Sequence, residues 1–329
     1  MITRRAFLHT SAGAVSATAF RAASFAQPSG QIALRAADIR SVDYPTVQTL
    51  FFIDRVLRKA SGGDFAIRVF PDAQLGEEAE IIEQMRIGAI DMARVNVMSF
   101  AQIVPEFAVL GLPGIFLSDA HFDNFTGGPV GQNFLDRMDN KGFVGLTFLD
   151  AGPRYLYNRV RPVGKAGDVE GLRLRVDTSL TSDFLPRALG AMPMQLPLNH
   201  LFPALDARLV DGAIENIATY VALDHHRVAN FLAMTEMGRA PDILMISLRA
   251  WNALTDKQRD LLKGASREGR SYMKKAFDRW NSVCMQQIRD QGVTITQPDG
   301  LLQPARSAIY EMLAQLDMMK WFELVRSAR

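Results

Sequence analysis

Short apolar segments alternate with amphipathic helical segments over the first half of the chain, and this alternation limits the folds that the chain can adopt. Residues 31–40 (QIALRAADIR) and 65–71 (FAIRVFP) have the length and apolar content of strands. Residues 44–63 have helical spacing, and residues 77–95 predict a helix that Gly88 interrupts before a further strand. Strands and helices in this order predict an α/β fold with helices on both faces of a sheet.

The second half of the chain repeats this alternation and then becomes helical. Residues 143–216 form the second block, with predicted strands at 172–176 and 209–214 around a helix near 180–189. After Leu254, a capping Thr and sustained helical spacing predict one long helix. The length and the two blocks together predict a compact unit of two lobes.

The first 26 residues differ from the rest of the chain. Arg4 and Arg5 precede a weakly apolar stretch rich in Ala, Ser, Thr and Gly, which small residues close. This pattern predicts an export signal of the twin-arginine type, cleaved after Ala26. A retained membrane anchor needs about 20 strongly apolar residues, which this segment lacks. Residues 103–117 are the most apolar later run, but Pro and Gly interrupt them, which predicts a buried irregular connection.

Charge and cysteine content exclude further classes of protein. The chain carries a net charge of +2, and removing the three arginines of the predicted signal takes this to −1. A nearly neutral mature chain lacks the basic face that nucleic-acid binding requires. Cys284 is the only cysteine, so no internal disulfide can form, and a chain of this length buries enough core without one.

The sequence lacks the common catalytic and metal-binding motifs. It contains no HExxH, GxSxG, phosphate-binding loop or paired-cysteine motif. Ser271 and Lys274 match SxxK, but the match falls in the middle of a predicted helix without its partner motifs. His225 and His226 are adjacent, so on a helix they point about 100° apart and cannot hold a metal as an i, i+4 pair does.

Arginines are the most distinctive polar residues. In residues 171–176 (GLRLRV), Arg173 and Arg175 alternate with apolar residues, so they share a strand face that is either wet or in contact with an anion. Arg154 lies on another strand-like stretch, and Asn216 ends a third. Convergent guanidinium groups at strand ends suit a carboxylate, whose two oxygens they can bind together. Exposed arginines paired with acidic residues are the alternative.

Four segments together resemble a known family. They are QLGEEAEIIEQMRIGAIDMARVNV, AGPRYLYNRVRPV, GLRLRV and ARLVDGAIEN, in this order. The chain from about 31 to 300 resembles the periplasmic solute-binding proteins of tripartite ATP-independent periplasmic (TRAP) transporters, of the DctP type. The resemblance implies an α/β fold of two lobes, with a ligand cleft between them and a long connecting helix. It assigns 27–151 and about 240–279 to lobe 1, and 152–239 and about 280–329 to lobe 2.

The resemblance also implies a function. The protein would be exported to the periplasm, capture a small organic acid and deliver it to the membrane subunits of a transporter. It would use no cofactor, catalyse no reaction and not span the membrane itself. The RVN triplet and the YPTV turn are most similar to relatives that bind sugar acids such as uronates. The alternatives to a transporter component are a periplasmic ligand-sensing protein and an enzyme with the same fold.

Site residues follow from the same resemblance. Arg175 matches the arginine that binds the ligand carboxylate through both oxygens, Arg154 a second arginine at that carboxylate, and Asn216 an asparagine that donates to it. Because many relatives have one residue fewer before this Glu-Asn pair, Glu215 is the alternative to Asn216. The first lobe would supply the contacts to the other end of the ligand. These candidates are Arg40, Asp43, Tyr44, Glu77, Arg94 and Asn96.

Overall fold

The computed structural model describes residues 32–179 and 181–328. Residues 1–31, with the predicted export signal and its cleavage site, lie outside the described residues. The described strands are β1 (Ile32–Ala37), β2 (Phe65–Phe70), β3 (Met92–Asn96), β4 (Phe143–Leu149), β5 (Arg154–Asn158), β6 (Arg173–Val176), β7 (Met192–Gln195), β8 (Gly212–Asn216), β9 (Phe231–Ala233), β10 (Asp242–Ser247) and β11 (Thr294–Thr296). The described α-helices are α1 (Pro45–Ser61), α2 (Glu78–Arg86), α3 (Val97–Phe100), α4 (Asp119–Gly127), α5 (Pro129–Asp136), α6 (Phe184–Ala188), α7 (Leu201–Asp206), α8 (Ile217–Ala222), α9 (Leu248–Ala253), α10 (Asp256–Asp290), α11 (Ala305–Gln315) and α12 (Met319–Arg326).

The strands form two mixed sheets. The first sheet has the order β2-β1-β3-β10-β4, in which β1, β2 and β3 are parallel and β10 runs antiparallel to both of its neighbours. The second sheet has the order β11-β9-β5-β8-β6-β7, in which β6, β7 and β8 are parallel and β5 is antiparallel to β8 and β9. Each sheet is the framework of one lobe.

Local sequence explains where the elements begin and end. Helix α1 has Pro45 in its first turn, where a missing N–H is harmless, and it ends at Gly62, whose backbone is left-handed with a φ of 67°. Helix α2 begins at Glu77, which forms a reciprocal capping pair with Glu80. Residues 105–111 form a 3-10 helix with a buried apolar side, which confirms the predicted irregular connection.

The chain crosses between the sheets after β4 and after β9, and a glycine lies at each crossing. Gly152 has a φ of 72°, and a Cβ there would lie 2.5 Å from the Phe277 ring. Gly238 has a φ of 137°, and a Cβ there would lie 2.5 Å from the carbonyl oxygen of Gly111. Both positions combine a left-handed backbone with close packing, so a side chain would strain the connection between the lobes.

Helix α10 is the third connection. It is one helix of 35 residues, as the spacing predicts, and Thr255 caps it by accepting a hydrogen bond from the Gln258 N–H. Its Met273 and Phe277 pack in the core beside the first sheet, whereas Cys284 and Ile288 pack in the core of the second. The helix therefore joins the two lobes.

The last two helices pack mainly against the first lobe, although Ala305 at the start of α11 belongs to a core of the second lobe. Both helices contribute side chains to one apolar core beside the first sheet. These are Ile309, Met312 and Leu313 of α11, and Phe322 and Val325 of α12. The predicted division placed these helices in lobe 2. Their packing differs because their apolar faces cover first-lobe residues, which removes this surface from water.

Candidate functional site

A cavity of about 200 Å³ lies between the two lobes. Strands β1, β3, β6 and β8 direct their carboxyl ends toward it, which is where ligands bind in open α/β sheets. The charged side chains that line this cavity are Arg40, Glu77, Glu78, Arg154, Arg175, Asp177, Glu215 and Asp242.

The two arginines of β6 have different surroundings. Arg173 begins the strand and donates two hydrogen bonds to Asp211, at 2.9 and 2.8 Å, with a side chain that is 36% exposed. Arg175 lies two residues further, near the carboxyl end of the strand, and is 7% exposed. Its Nε donates to the Leu196 carbonyl at 2.9 Å, and its Nη1 donates to Glu215 at 2.7 Å. Only Arg175 reaches the cavity.

Glu215 joins Arg175 to Arg154. Strands β5 and β8 are antiparallel neighbours with Arg154 opposite Asn216, so Arg154 can reach the adjacent Glu215, and its Nη2 donates to the same Oε1 at 3.0 Å. Burial opposes ionisation of Glu215, but the charges of Arg154 and Arg175 outweigh it and lower the pKa of Glu215. Glu215 is therefore an anion at neutral pH. Asp177 lies 3.9 Å from Arg154 and also faces this cluster, whereas the Arg154 Nε has no acceptor within the described residues.

Asn216 also lies at the cavity, so the structure brings both candidates of the Glu-Asn pair to the site. The Oδ1 of Asn216 caps helix α8 by accepting a hydrogen bond from the Thr219 N–H at 2.7 Å. Its amide nitrogen has no acceptor among residues 32–179 and 181–328. The amide orientation fixed by the cap leaves this nitrogen as a donor beside the arginine pair.

Arg94 does not line the cavity, contrary to the expectation from the sequence. It is fully buried and pairs with Asp38, with Glu78 at 2.7 Å and with Asp242 at 3.5 Å. These carboxylates outweigh the burial of Arg94 and hold its pKa well above the usual value. Its donors are directed at protein carboxylates below the cavity wall, so Arg94 organises this wall from behind.

The sequence did not identify three acidic residues that line the cavity, namely Glu78, Asp177 and Asp242. Glu78 follows Glu77 directly in the sequence, but only Glu78 points at Arg94. Asn96 lines the cavity as predicted, yet its side chain is committed to the protein. It donates to Asp242 at 2.9 Å and accepts from the Met98 N–H at 3.1 Å.

The remaining candidates occupy three different positions. Arg40 and Glu77 line the cavity, and Glu77 accepts a hydrogen bond from Asn199 of the second lobe at 2.6 Å. Tyr44 is buried at the junction of the lobes, where its hydroxyl lies 3.3 Å from that of Thr219. Tyr44 lines a side cavity of about 80 Å³ rather than the main one. Asp43 is exposed and lies at an outer groove between α1 and α10, away from the site.

The other motifs considered in the sequence lie elsewhere. Lys274 forms an ion pair with Asp123 at 3.0 Å. His225 accepts or donates a hydrogen bond with the Tyr157 hydroxyl at 2.7 Å, and burial lowers its pKa to about 4. The described ranges contain no group of three or more His, Cys, Asp and Glu residues suited to a metal ion. In those ranges, no helix has the length and apolar content to cross a membrane.

The Asp242 carboxyl gives a first testable prediction. Burial raises its pKa to about 6 and the nearby charge of Glu78 adds to the rise, whereas the charges of Arg94 and Arg40 oppose it. A raised pKa in the folded state stabilises the protein below the unfolded pKa near 4, and this stabilisation disappears as the pH rises through about 6. We expect Asp242→Asn to raise the free energy of unfolding by up to about 3 kcal/mol at pH 8 and to have little effect at pH 4.

Denaturant unfolding of both proteins at several pH values measures this difference. The comparison with the parent protein cancels the opposite contribution of His225, which favours folding at higher pH. A constant difference across the pH range would mean that Asp242 does not titrate between these values.

Solved structures of other proteins share this fold. A TRAP periplasmic solute-binding protein from a Bradyrhizobium species, in complex with galacturonate, has a TM-score of 0.86 and 32% identity, with 90% of this chain and 99% of that chain covered. A TRAP solute-binding protein from Citrobacter koseri with bound D-glucuronate has a TM-score of 0.85 and 26% identity, with 91% and 100% covered. The predicted two-lobe α/β fold is confirmed.

Sequence comparison agrees with the structures. The chain is 25% identical over 296 residues to the C4-dicarboxylate-binding periplasmic protein DctP of Rhodobacter capsulatus, covering 89% of this chain and 87% of that protein. Residues 36–317 match the family described as bacterial extracellular solute-binding protein, family 7. The chain therefore belongs to this DctP family of TRAP periplasmic solute-binding proteins, as its motifs predicted.

Proposed function

We propose that this protein captures a sugar acid in the cavity and delivers it to the membrane subunits of a TRAP transporter. One observation carries the proposal: Arg154 and Arg175 face the cavity and both donate to one buried carboxylate, Glu215. Two guanidinium groups have more N–H donors than Glu215 and Asp177, which lies 3.9 Å from Arg154, can accept, so donors remain for a further carboxylate, that of the ligand. Asn216 adds a neutral donor beside them.

The opposite wall suits the hydroxyl groups of a sugar. Glu77 and Asp242 present carboxyl oxygens at the cavity, and such oxygens accept hydrogen bonds from hydroxyl groups. Relatives at 26–32% identity bind galacturonate or glucuronate, acids of this kind. Their ligands support a sugar acid over a simple organic acid.

Binding would operate by closure of the two lobes. The ligand carboxylate binds Arg154, Arg175 and Asn216 of the second lobe, and the first lobe then closes over the hydroxyl groups. Hydrogen bonds from Asn199 to Glu77 and from Gln102 to Thr178, both at 2.6 Å, hold the lobes together. Exclusion of water strengthens the ion pairs, and the ligand favours closure by its higher affinity for the closed form.

The transporter would recognise this closed form in the periplasm, after export and cleavage of the signal following Ala26. No step changes the ligand chemically, so the protein would bind its acid without turnover. Incubation with a bound sugar acid, followed by analysis of the acid, should return it unchanged.

Thermal unfolding in the presence of candidate ligands tests the proposed function. Galacturonate, glucuronate, or the corresponding aldonic and aldaric acids should raise the melting temperature, because a ligand that binds only the folded state stabilises it by about 2.7 kcal/mol at a hundredfold excess over Kd. Galactose, which lacks the carboxylate, is the matched control and should give no shift. A shift with C4 dicarboxylates and none with any sugar acid would refute the proposal.

A further inference from the structure

Arg40 is a cavity-lining arginine without a protein partner. Its Nε and Nη1 atoms are buried, and neither has a hydrogen-bond acceptor. Within residues 32–179 and 181–328, the Arg40 guanidinium also has no carboxylate within ion-pair distance. Arg154 and Arg175, which line the same cavity, both pair with Glu215. The first-lobe wall thus presents a cation whose partner the protein does not supply.

The backbone around Arg40 is well anchored. Its N–H donates to Asp38 at 2.9 Å, and its carbonyl accepts from the Asp72 N–H at 2.7 Å. The guanidinium lies 5.0 Å from the centre of the Tyr44 ring, which supports it from one side. Arg40 lines both the main cavity and the side cavity of about 80 Å³. Its charge is therefore held at the cavity rather than in solvent.

Nearby carboxylates are committed to another cation. Asp38, Glu78 and Asp242 all face Arg94, and Asp38 also accepts from Thr46 at 2.7 Å. The charge of Arg40 nevertheless acts on carboxyl groups of both walls, since it contributes to lowering the pKa of Glu215 and opposes the rise in the pKa of Asp242. An arginine cannot lose its proton, so a buried guanidinium without a partner carries a desolvation cost that a bound anion removes.

We propose, on the basis of the proposed function, that the ligand is a sugar diacid: one carboxylate binds Arg154 and Arg175, and the second binds Arg40. A hydroxyl group would satisfy one N–H of Arg40 but leave its charge without a counter-ion. A carboxylate supplies both the charge and two acceptor oxygens. The hydroxyl groups between the two carboxylates would face Glu77 and Asp242, whose carboxyl oxygens can accept hydrogen bonds from them.

Two acids with the same carbon skeleton test this inference. Galactarate has a carboxylate at both ends, whereas galactonate, which is also an open chain, has one. Calorimetric titration of the purified protein should give a Kd for galactarate that is about tenfold to a hundredfold lower, as expected for one additional charge-assisted contact. Arg40→Gln should reduce this preference to about one, mainly by weakening the binding of galactarate.

Arg86→Gln is the matched control, because Arg86 is exposed and pairs only with Glu83 at the surface. It removes the same charge and should leave the ratio of the two Kd values unchanged. The melting temperature of unliganded Arg40→Gln should stay close to that of the parent protein, since the Arg40 guanidinium makes no hydrogen bond or ion pair within the described residues. This measurement separates a binding role from a folding role.

The outcomes distinguish the two proposals. Galactonate binding as tightly as galactarate, or more tightly, would overturn the diacid inference and leave the proposed function standing. An equal loss of affinity for both acids in Arg40→Gln would also overturn the inference, because Arg40 would then not bind the second carboxylate selectively. If no sugar acid bound the parent protein, the proposed function would fail and the inference with it. The ratio for the parent protein decides the matter even if the variant does not fold.

Discussion

Replacing Arg175 with alanine should weaken the binding of a sugar acid by about 2 to 5 kcal/mol, or roughly thirtyfold and more. The substitution removes a buried cation from the proposed carboxylate site. It also leaves Glu215, which is 7% exposed, with one arginine instead of two. An anion buried beside the ligand then repels the ligand carboxylate, so the loss should exceed that of one contact.

The control for this experiment lies on the same strand. Arg173→Ala removes an arginine two residues away, but that side chain pairs with Asp211 outside the cavity. We expect its Kd to remain within about threefold of the parent value, because a partly exposed ion pair outside the cavity contributes little and makes no contact with the ligand. Calorimetry at a temperature well below the melting point of each variant separates affinity from stability. Unchanged binding by Arg175→Ala would place the ligand carboxylate elsewhere.

The contrast between these two arginines illustrates what could be predicted from the sequence. Alternation placed Arg173 and Arg175 on one face of a strand, and the structure confirms that strand as β6. Position along the strand separates them, since the residue nearer the carboxyl end reaches the cavity. The long helix, the strand-helix alternation and the buried connection at 103–117 were also predictable, because each depends on local periodicity or punctuation.

The first-lobe wall could not be predicted because its pairs are distant in sequence. Arg94 pairs with Asp38, 56 residues before it, and Asn96 donates to Asp242, 146 residues after it. Nothing local in the sequence distinguishes an arginine that faces a ligand from one that faces buried carboxylates. Asp43 illustrates the same problem at short range, since its neighbour Tyr44 points into the protein while Asp43 points out.

The two walls of the cavity therefore differ in the charged groups that they present. On the second-lobe wall, two arginines share one buried glutamate and Asp177 lies 3.9 Å from Arg154, which leaves guanidinium N–H donors at the cavity. Behind the first-lobe wall, Arg94 is the common partner of three carboxyl groups, so they carry more negative charge than it balances. Burial reduces this charge by raising the pKa of one of them, Asp242. Arg40 is the exception on the first-lobe wall, since it lines the cavity without a hydrogen-bond acceptor for its buried Nε and Nη1. A ligand with carboxylate and hydroxyl groups fits this arrangement, because the arginines can bind carboxylates and the acidic residues can accept hydrogen bonds from hydroxyl groups.

Replacing Arg94 with methionine should be the most destabilising of these changes, by about 3 to 5 kcal/mol at pH 8. Methionine has a similar length and leaves Asp38, Glu78 and Asp242 buried without their common cation. Carboxyl groups in such an environment have raised pKa values, so their protonation at low pH restores stability. The loss relative to the parent protein should therefore shrink as the pH falls from 8 to 5.

Arg35→Met provides the matched control for this prediction. Arg35 lies on β1 of the same sheet and forms two hydrogen bonds to the Asp91 side chain, at 2.9 Å each, but its own side chain is 44% exposed. Solvent screens this pair, so its loss should cost about 1 kcal/mol or less, with little dependence on pH. Urea unfolding of the three proteins at pH 5 and pH 8 measures both effects. If Arg94→Met lost the same free energy of unfolding at both pH values, the buried carboxylates would not be the cause. Poorer packing of the methionine side chain would then have to account for the loss.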